Sequence, residues 1–300
     1  MTRTVRAATL ATCLALATAA GCGGPGTQPS PPPTNGGNGG GVVTPPNTAP
    51  QIKSLTASDA RAEVDVPITL TAVVEDAETP VANLTYAWSA ETGTFTGTGS
   101  TVTWVAGQNA MTPADVVLTL TVTERYTANS AQAENKVSST ATVRLHNSPN
   151  ELRDMSVRFL TDFANSRISP DQCVQDFSDS CNGKKDERAD VDDARHDYEH
   201  LASTIRPTSV SIASNRMTAT VHTFCSFTVK VISTAPRDEV CEGGKKCPLG
   251  STGTATGDCW TTNVYEKGRW WLCESHFSSI PTLTMPSTFI PTLFRRSGAR

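Results

Sequence analysis

Residues 258–277, DCWTTNVYEKGRWWLCESHF, predict a β-hairpin. Two runs rich in aromatic and β-branched residues flank Lys267 and Gly268, a dipeptide suited to a tight turn. Side chains alternate on a regular strand, so those after the turn divide into two faces. One face would hold Trp270, Leu272, Glu274 and His276, and the other Trp271, Cys273, Ser275 and Phe277. A strand that is apolar on both sides near its start is covered on both sides, so we interpret the tryptophans as packing residues rather than as a ligand platform.

Two amphipathic segments before the hairpin predict helices. In residues 150–166 Asn150 is a candidate N-cap, and apolar residues recur at helical spacing. These are Val157, Leu160 and Ala164, with Phe159 and Phe163 beside them. Residues 187–205 predict a second helix. Its apolar face would comprise Val191, Ala194, Tyr198 and Leu201.

Two alternating segments, residues 208–214 and 216–232, predict strands between the second helix and the hairpin. Helices that precede an antiparallel sheet define an α+β domain, which we place at residues 150–280. Residues 281–300 form a Pro-containing tail, which we expect to pack in extended form on the sheet and to be disordered at its end.

Residues 51–147 alternate between apolar and polar side chains in several short runs separated by turn-forming residues. The runs are VPITLTAVV (66–74), LTYAWS (84–89), VVLTLTVT (116–123) and TATVRLH (140–146). In the first run, Val66, Ile68, Leu70, Ala72 and Val74 would share one face. The pattern predicts an antiparallel sandwich of two sheets with Trp88 in its core. Asp76 and Glu78 share one loop, and we interpret them as solvated loop charges rather than as calcium ligands.

Both halves resemble known families. The run LTAVVEDAETPVANLTYAWSAETG (70–93), with TVTW, VVLTLTVTE and ATVRLHNS, resembles a bacterial Ig-like domain of the PKD type. The segments FSDSC, KKDERAD and VYEKGRWWLCESHF resemble the NTF2-like (SnoaL-like) superfamily. The resemblances imply a multidomain chain, in which an all-β Ig-like sandwich at 51–147 precedes an α+β NTF2-like cone at 150–280. They also imply a spacer or adhesion role for the first domain and a pocket at the wide end of the cone.

The N-terminal sequence MTRTVRAATLATCLALATAAGCGG resembles a bacterial lipoprotein signal peptide, residues 1–21. This resemblance implies cleavage before Cys22 and a lipid on its sulfur; an ordinary secretory signal is the alternative. Residues 22–50 contain no charged residue and form a Gly/Pro-rich linker, which we interpret as a flexible tether. We expect an exported protein anchored by lipid in the bacterial cell envelope. Gly23, at the second mature position, resembles the sorting signal for the outer membrane, which implies that membrane rather than the inner one where the cell has both.

Seven of the nine cysteines follow Cys22, and all seven lie after residue 170. Export makes disulfides the expected state, and an odd number leaves one thiol over. Cys173 and Cys181 suggest a local bridge, and so do Cys241 and Cys247, for which half a zinc knuckle is the alternative. A third bridge would join two of three strand cysteines and leave the third as a buried free thiol. These three are Cys225, Cys259 and Cys273.

Three side chains are candidates for acid/base chemistry in a pocket of the cone: His222, Glu274 and His276. His196 and His200 are spaced as metal ligands on the second helix, but would lie opposite its apolar face with no third ligand. We therefore expect no metal and no cofactor. The net charge of −4 gives no basic footprint for nucleic acid.

The sequence favours a non-catalytic role, in which a binding or interaction domain is displayed at the cell envelope. The expected partners are the membrane, through the N-terminal lipid, and an envelope protein, a glycan or a small-molecule ligand. One alternative is a small-molecule enzyme of the isomerase or dehydratase kind, with its pocket in the NTF2-like domain. Another is a structural spacer without a ligand.

Overall fold

A computed structural model of the chain describes residues 46–233 and 249–278. The signal peptide, most of the linker, Cys22, the Cys241 and Cys247 pair and the tail at 281–300 lie outside the described residues. All the elements below belong to one compact unit, Asn47–Arg300. The unit is mostly β-structure, with several sheets and few helices, which confirms the predicted fold class in its coarse form.

Eight strands form the first part of this unit, which we call the two-sheet region (Gln51–His146). They are β1 (Gln51–Ala57), β2 (Arg61–Glu63), β3 (Ile68–Glu75), β4 (Thr85–Ser89), β5 (Thr94–Thr96), β6 (Thr101–Val105), β7 (Ala114–Ala128) and β8 (Ala131–His146). One sheet has the order β1-β3-β6-β5 and the other β2-β8-β7-β4. Side chains of both sheets share a buried core, because Leu70 and Trp104 of the first sheet join Leu118 and Leu145 of the second.

The alternation predicted for these strands is present, with one exception at the start of β3. Ile68, Leu70 and Ala72 are buried as predicted, whereas Val66 is 50% exposed. The prediction for Val66 is wrong because a turn at Asp65 precedes the strand, which begins only at Ile68. Trp88 packs against the core and donates its indole N–H to the Gly99 carbonyl at 3.0 Å.

The acidic loop after β3 uses its carboxylates to hold the backbone. Asp76 accepts hydrogen bonds from the amides of Glu78 and Thr79, at 3.0 and 2.6 Å. Glu78 accepts from the hydroxyl of Thr48 at 2.7 Å. Both bonds to Asp76 go to its Oδ1, whereas its Oδ2 is buried without a hydrogen-bond partner among the described residues.

The second part, the helix–sheet region (Ser148–Phe277), consists of three helices followed by four strands. They are α1 (Ser148–Phe163), α2 (Pro170–Cys173), α3 (Gly183–Asp197), β9 (Tyr198–Ile212), β10 (Thr218–Val231), β11 (Thr252–Glu266) and β12 (Arg269–Phe277). The strands make a curled antiparallel sheet with the order β12-β11-β10-β9. Lys267 and Gly268 both have positive φ, 51° and 77°, which confirms the predicted hairpin turn.

Helix α1 fills the inner side of the curled sheet. Its N-cap is Asn147, whose side chain accepts from the amide of Asn150, so the predicted cap at Asn150 is wrong. The buried face of α1 comprises Leu152, Met155, Ser156, Phe159, Leu160 and Phe163. Val157 and Ala164 are only half-buried, because the two phenylalanines and Leu152 lie closer to the centre of that face.

The second predicted helix ends earlier than its apolar pattern suggests. Helix α3 stops at Asp197, and Tyr198 begins β9, which pairs with β10 along its whole length. Strand pairing therefore overrides the helical spacing at this point. Val191, Ala194 and Tyr198 are buried as predicted, but Leu201 is 50% exposed on the strand.

A network centred on Arg61, which we call the Arg61 junction, joins the two regions. The Arg61 guanidinium lies 3.6 Å from the ring centroid of Tyr265 and 5.0 Å from that of Trp270. The Ser148 hydroxyl accepts from Arg61 at 3.0 Å and from the Trp270 indole at 2.9 Å, and it donates to Glu63 at 2.7 Å. Trp270 is 3% exposed. It is therefore a packing residue, as predicted, and it packs between the two regions.

Two further side chains close this junction. Arg216, in the turn between β9 and β10, forms an ion pair with Asp59 and donates to the Arg61 carbonyl at 2.8 Å. His146 is fully buried, with one ring nitrogen 2.9 Å from the Tyr265 hydroxyl and the other 2.8 Å from Glu151. Burial lowers the pKa of Arg61, and the opposing charge of Glu63 partly restores it.

We expect Arg61→Met to lower the free energy of unfolding by about 2–4 kcal/mol, because it removes a stacked cation, one of the two donors to the Ser148 hydroxyl and the ion-pair partner of Glu63. Urea unfolding measures this loss. Arg125→Met is the matched control, since Arg125 is 72% exposed and pairs with Glu134, and it should cost less than about 1 kcal/mol. Equal losses in the two variants would contradict the importance of the junction.

Candidate functional site

A β-bulge in the last strand decides where the candidate residues lie. Thr262 pairs with Glu274 and Asn263 with Leu272, so Cys273 is an extra residue in β12. An extra residue moves all following side chains to the opposite face of the sheet. Trp270, Leu272 and Ser275 are accordingly buried on the inner face. The prediction that Glu274 and His276 share the face of Trp270 and Leu272 is therefore wrong.

The two histidine candidates stand on the outer face, in a row with a tryptophan. His222, Trp260 and His276 are register partners on β10, β11 and β12. Their rings stack, with centroids 6.0 Å apart for His222 and Trp260 and 5.2 Å apart for Trp260 and His276. We call these three side chains the ring row. His222 alternates with the buried Val221 and Thr223, so the ring row lies on the side away from α1.

Each histidine of the ring row has a carboxylate partner. His222 Nδ1 lies 2.9 Å from Asp258, and both side chains are close to half exposed, at 43% and 46%. His276 Nε2 lies 3.3 Å from Glu274. The structure thus brings the three predicted candidates onto one face and adds Asp258 and Trp260, which sequence reasoning missed. Only the strand register could have identified these two, because it alone places them beside His222.

A cavity of about 530 Å³ adjoins the ring row, and we call it the polar cavity. Its polar lining includes Thr218 and Asn263 and, beside them, Ser180, Asn182, Ser211, Thr220, Thr262 and Glu274. The last four are register partners across all four strands. Thr220 and Thr262 stand two residues from His222 and Trp260, so strand alternation places them on the face of the ring row.

The wall formed by β12 and the start of α3 is tightly held. A Cβ at Gly183 would lie 2.1 Å from the Cys273 carbonyl, so only glycine fits where the helix begins. Glu187, one turn further, is 5% exposed and accepts from the amide and the hydroxyl of Ser275, at 2.7 and 2.8 Å. Burial raises the pKa of Glu187 to about 7, although the bonds from Ser275 oppose this rise. Sequence reasoning missed Glu187, which lies in a run of charged residues.

The disulfides differ from the predicted local pairs. Cys181 pairs with Cys273, and Cys225 with Cys259, at Cα separations of 5.2 and 6.0 Å. The predicted Cys173–Cys181 bridge is therefore wrong, and Cys273 is not the free thiol. The reason is that the turn after α2 runs beside β12, where Ser178 donates to the Leu272 carbonyl at 2.8 Å and brings Cys181 to the bulge.

Cys173 is the free cysteine of the described residues, and it is buried. Its sulfur faces the Phe159 carbonyl at 3.9 Å. Burial raises the pKa of the thiol to about 12, so it stays protonated and unreactive at neutral pH.

The predicted pair His196 and His200 does not share a solvent-exposed face. His196 lies at the end of α3, 2.7 Å from Asp197. His200 lies on β9 between the rings of Phe163 and Phe227, at centroid distances of 5.7 and 5.9 Å. Burial lowers the pKa of His200 to about 4, and nearby Arg195 acts in the same direction. The predicted exposure of His200 is wrong because the helix has already ended.

Within residues 46–233 and 249–278, no three His, Cys, Asp or Glu side chains form a group that could hold a metal ion. In the same part of the chain, no helix is both long enough and apolar enough to cross a membrane.

No protein-family profile matches the chain. No curated protein matches it. Among solved structures, the chain is similar to the intermembrane space region of the chloroplast protein ARC6, with 12% sequence identity and a TM-score of 0.29. That similarity covers 42% of this chain and 92% of the other. A likeness at this TM-score carries no weight for fold or function.

We expect the stability of the protein to fall as pH rises from about 4.5 to about 7, because folded Glu187 holds its proton to a higher pH than the unfolded chain does. The contribution of protonated Glu187 to the free energy of unfolding is complete below pH 4.5 and lost above pH 7. It amounts to about 3 kcal/mol. Urea unfolding at several pH values measures it. Glu187→Gln should flatten this pH dependence, whereas Glu91→Gln, at an exposed position, should retain it. An unchanged slope in Glu187→Gln would contradict the assignment.

The disulfide pairing predicts a simple peptide map. Proteolysis of the unreduced protein should release one linked peptide pair with Cys181 and Cys273 and another with Cys225 and Cys259. Cys173 should react with iodoacetamide only after denaturation, because its thiol is buried. Mass spectrometry detects both results. A peptide that links Cys173 to Cys181 would refute the pairing.

Proposed function

We propose that the chain is an exported lipoprotein of the bacterial cell envelope that displays a non-catalytic binding domain on an Ig-like spacer. In this proposal the two-sheet region is an Ig-like sandwich of the PKD type. Its two four-stranded sheets, which share two clusters of buried side chains, support this assignment. The helix–sheet region is an NTF2-like cone, and the packing of α1 inside the curled sheet supports that assignment.

The Arg61 junction is the observation that carries the proposal. Arg61 and Glu63 come from the spacer strand β2, whereas Tyr265 and Trp270 come from the last hairpin of the cone. Cation–π contacts and hydrogen bonds that converge on one guanidinium hold the two regions in a fixed orientation. A spacer coupled in this way presents the outer face of the cone at a defined angle, which suits display.

Export and anchoring draw on two further features. Disulfides form in oxidising compartments, and two cysteine pairs lie at disulfide distance in the helix–sheet region. The N-terminal segment supplies the lipid site at Cys22, and the linker at 22–50 supplies reach from the membrane, with the outer membrane as the expected location. The partner is then an envelope protein, a glycan or a small molecule.

A second candidate function is acid/base catalysis on a small molecule. The two imidazole–carboxylate pairs, His222 with Asp258 and His276 with Glu274, favour it because they stand beside the polar cavity. A carboxylate that orients an imidazole is a common arrangement for proton transfer. In this alternative His222→Gln would abolish turnover of a substrate, whereas in the display function it would change binding alone.

We expect the mature protein to begin at Cys22 and to carry the mass of acyl chains, as intact-mass spectrometry of the membrane fraction can show. Cys22→Ala should release the protein from the membrane fraction, because alanine lacks the sulfur atom that carries the proposed lipid. Cys13→Ala, within the signal peptide, is the matched control and should leave the anchor in place. A mature chain that starts elsewhere and has no acyl mass would overturn the proposed anchoring.

A further inference from the structure

The lining of the polar cavity is rich in groups that both donate and accept hydrogen bonds. Ser180, Ser211, Thr220 and Thr262 contribute hydroxyl groups, and Asn182 contributes an amide. Three of these hydroxyl residues, Ser211, Thr220 and Thr262, lie side by side on adjacent strands at register spacing. Such a row matches a ligand that itself carries several adjacent hydroxyl groups.

The charge of the lining argues against ionic ligands. Of the described residues that line the cavity, Glu274 is the one with a charged side chain. The same lining contains neither lysine nor arginine. An anionic ligand would meet this carboxylate without a cation to offset the repulsion. Glu274 already has a partner in His276, at 3.3 Å, so the cavity does not present an isolated negative charge to a cation. The lining therefore suits an uncharged polar ligand.

The walls of the cavity are preformed. The Cys181–Cys273 disulfide and the close approach of Gly183 to Cys273 fix the wall that carries Ser180 and Asn182. Paired strands fix the opposite wall. A preformed site loses little ordering entropy on binding. Its volume of about 530 Å³ lies within the range of about 300–1,000 Å³ that is typical of small-ligand pockets.

We propose that the polar cavity binds an uncharged saccharide of one or two rings, through the hydroxyl row of Ser211, Thr220 and Thr262. This inference rests on the proposed binding function and names its site and ligand class. Adjacent hydroxyls of the sugar pair with the hydroxyls of these three side chains, and Glu274 accepts from a further sugar hydroxyl.

The test titrates the purified mature protein with glucose, galactose, mannose, N-acetylglucosamine, maltose, cellobiose and lactose, and follows backbone amide shifts by NMR. At least one of these sugars should bind with a Kd below about 10 mM and shift the amides of Thr220 and Thr262. Glucuronic acid should bind at least about fivefold more weakly than glucose, because its carboxylate meets Glu274. Glu274→Gln removes that repulsion and should bring the two Kd values closer together.

Thr220→Val and Thr262→Val should each weaken binding about fivefold, because each removes one hydrogen bond without changing the shape of the side chain. Thr228→Val and Thr254→Val are the matched controls. They lie further along the same two strands, where the two hydroxyls bond to each other at 2.9 Å, and they should leave the Kd unchanged. Thermal unfolding should show that all four variants fold.

The saccharide assignment is overturned if no sugar shifts the cavity amides at about 10 mM, or if binding persists unchanged in both cavity variants. Its failure is distinct from failure of the display function. If the chain is acylated at Cys22 but binds no sugar, the saccharide assignment alone is wrong. A chain without acyl mass overturns the display function, whatever the cavity binds.

Discussion

The buried guanidinium of Arg61 is the interaction on which the arrangement of this protein depends. A cation removed from water is costly unless its charge and its N–H groups are matched. Here Glu63 supplies the charge, Ser148 accepts a hydrogen bond, and the Tyr265 and Trp270 rings cover the guanidinium. Because these partners come from both regions, the charge of Arg61 is paired and its guanidinium is stacked on the two rings only when the regions dock in one way. The guanidinium Nε is buried without a hydrogen-bond partner among the described residues even then.

The last strand places functional side chains on both faces of the curled sheet, because the bulge at Cys273 reverses the faces of the residues that follow it. Before the bulge, Trp270 and Leu272 face the core, and Trp270 also meets Ser148 at the junction. After the bulge, Glu274 and His276 face outward beside the polar cavity. The Cys181 disulfide holds the bulged residue itself. Strand β12 therefore contacts the two-sheet region, contributes to the core and carries part of the candidate site.

Local signals in the sequence were enough for parts of β3, β4, β7, β8, β10, β11 and β12, for the Lys267–Gly268 turn and for the first helix, because each depends on neighbouring residues. The short strands β1, β2 and β5 were not predicted. The end of α3 could not be predicted, since the pattern through Leu201 is helical and only pairing with β10 makes it a strand. The cysteine pairs join residues up to 92 positions apart, which spacing cannot reveal. The candidate site was predicted only in part. Its residues were named, but one extra residue in β12 reversed the face on which two of them lie.

Residual dipolar couplings, measured on amides of residues 51–146 and 148–277, test most directly whether the Arg61 junction makes one rigid body of the two regions. A rigid junction predicts that one alignment tensor fits both sets in the native protein, and that two tensors are needed once Arg61 is replaced by methionine. Two different tensors in the native protein would show that the regions move independently, and would contradict the account.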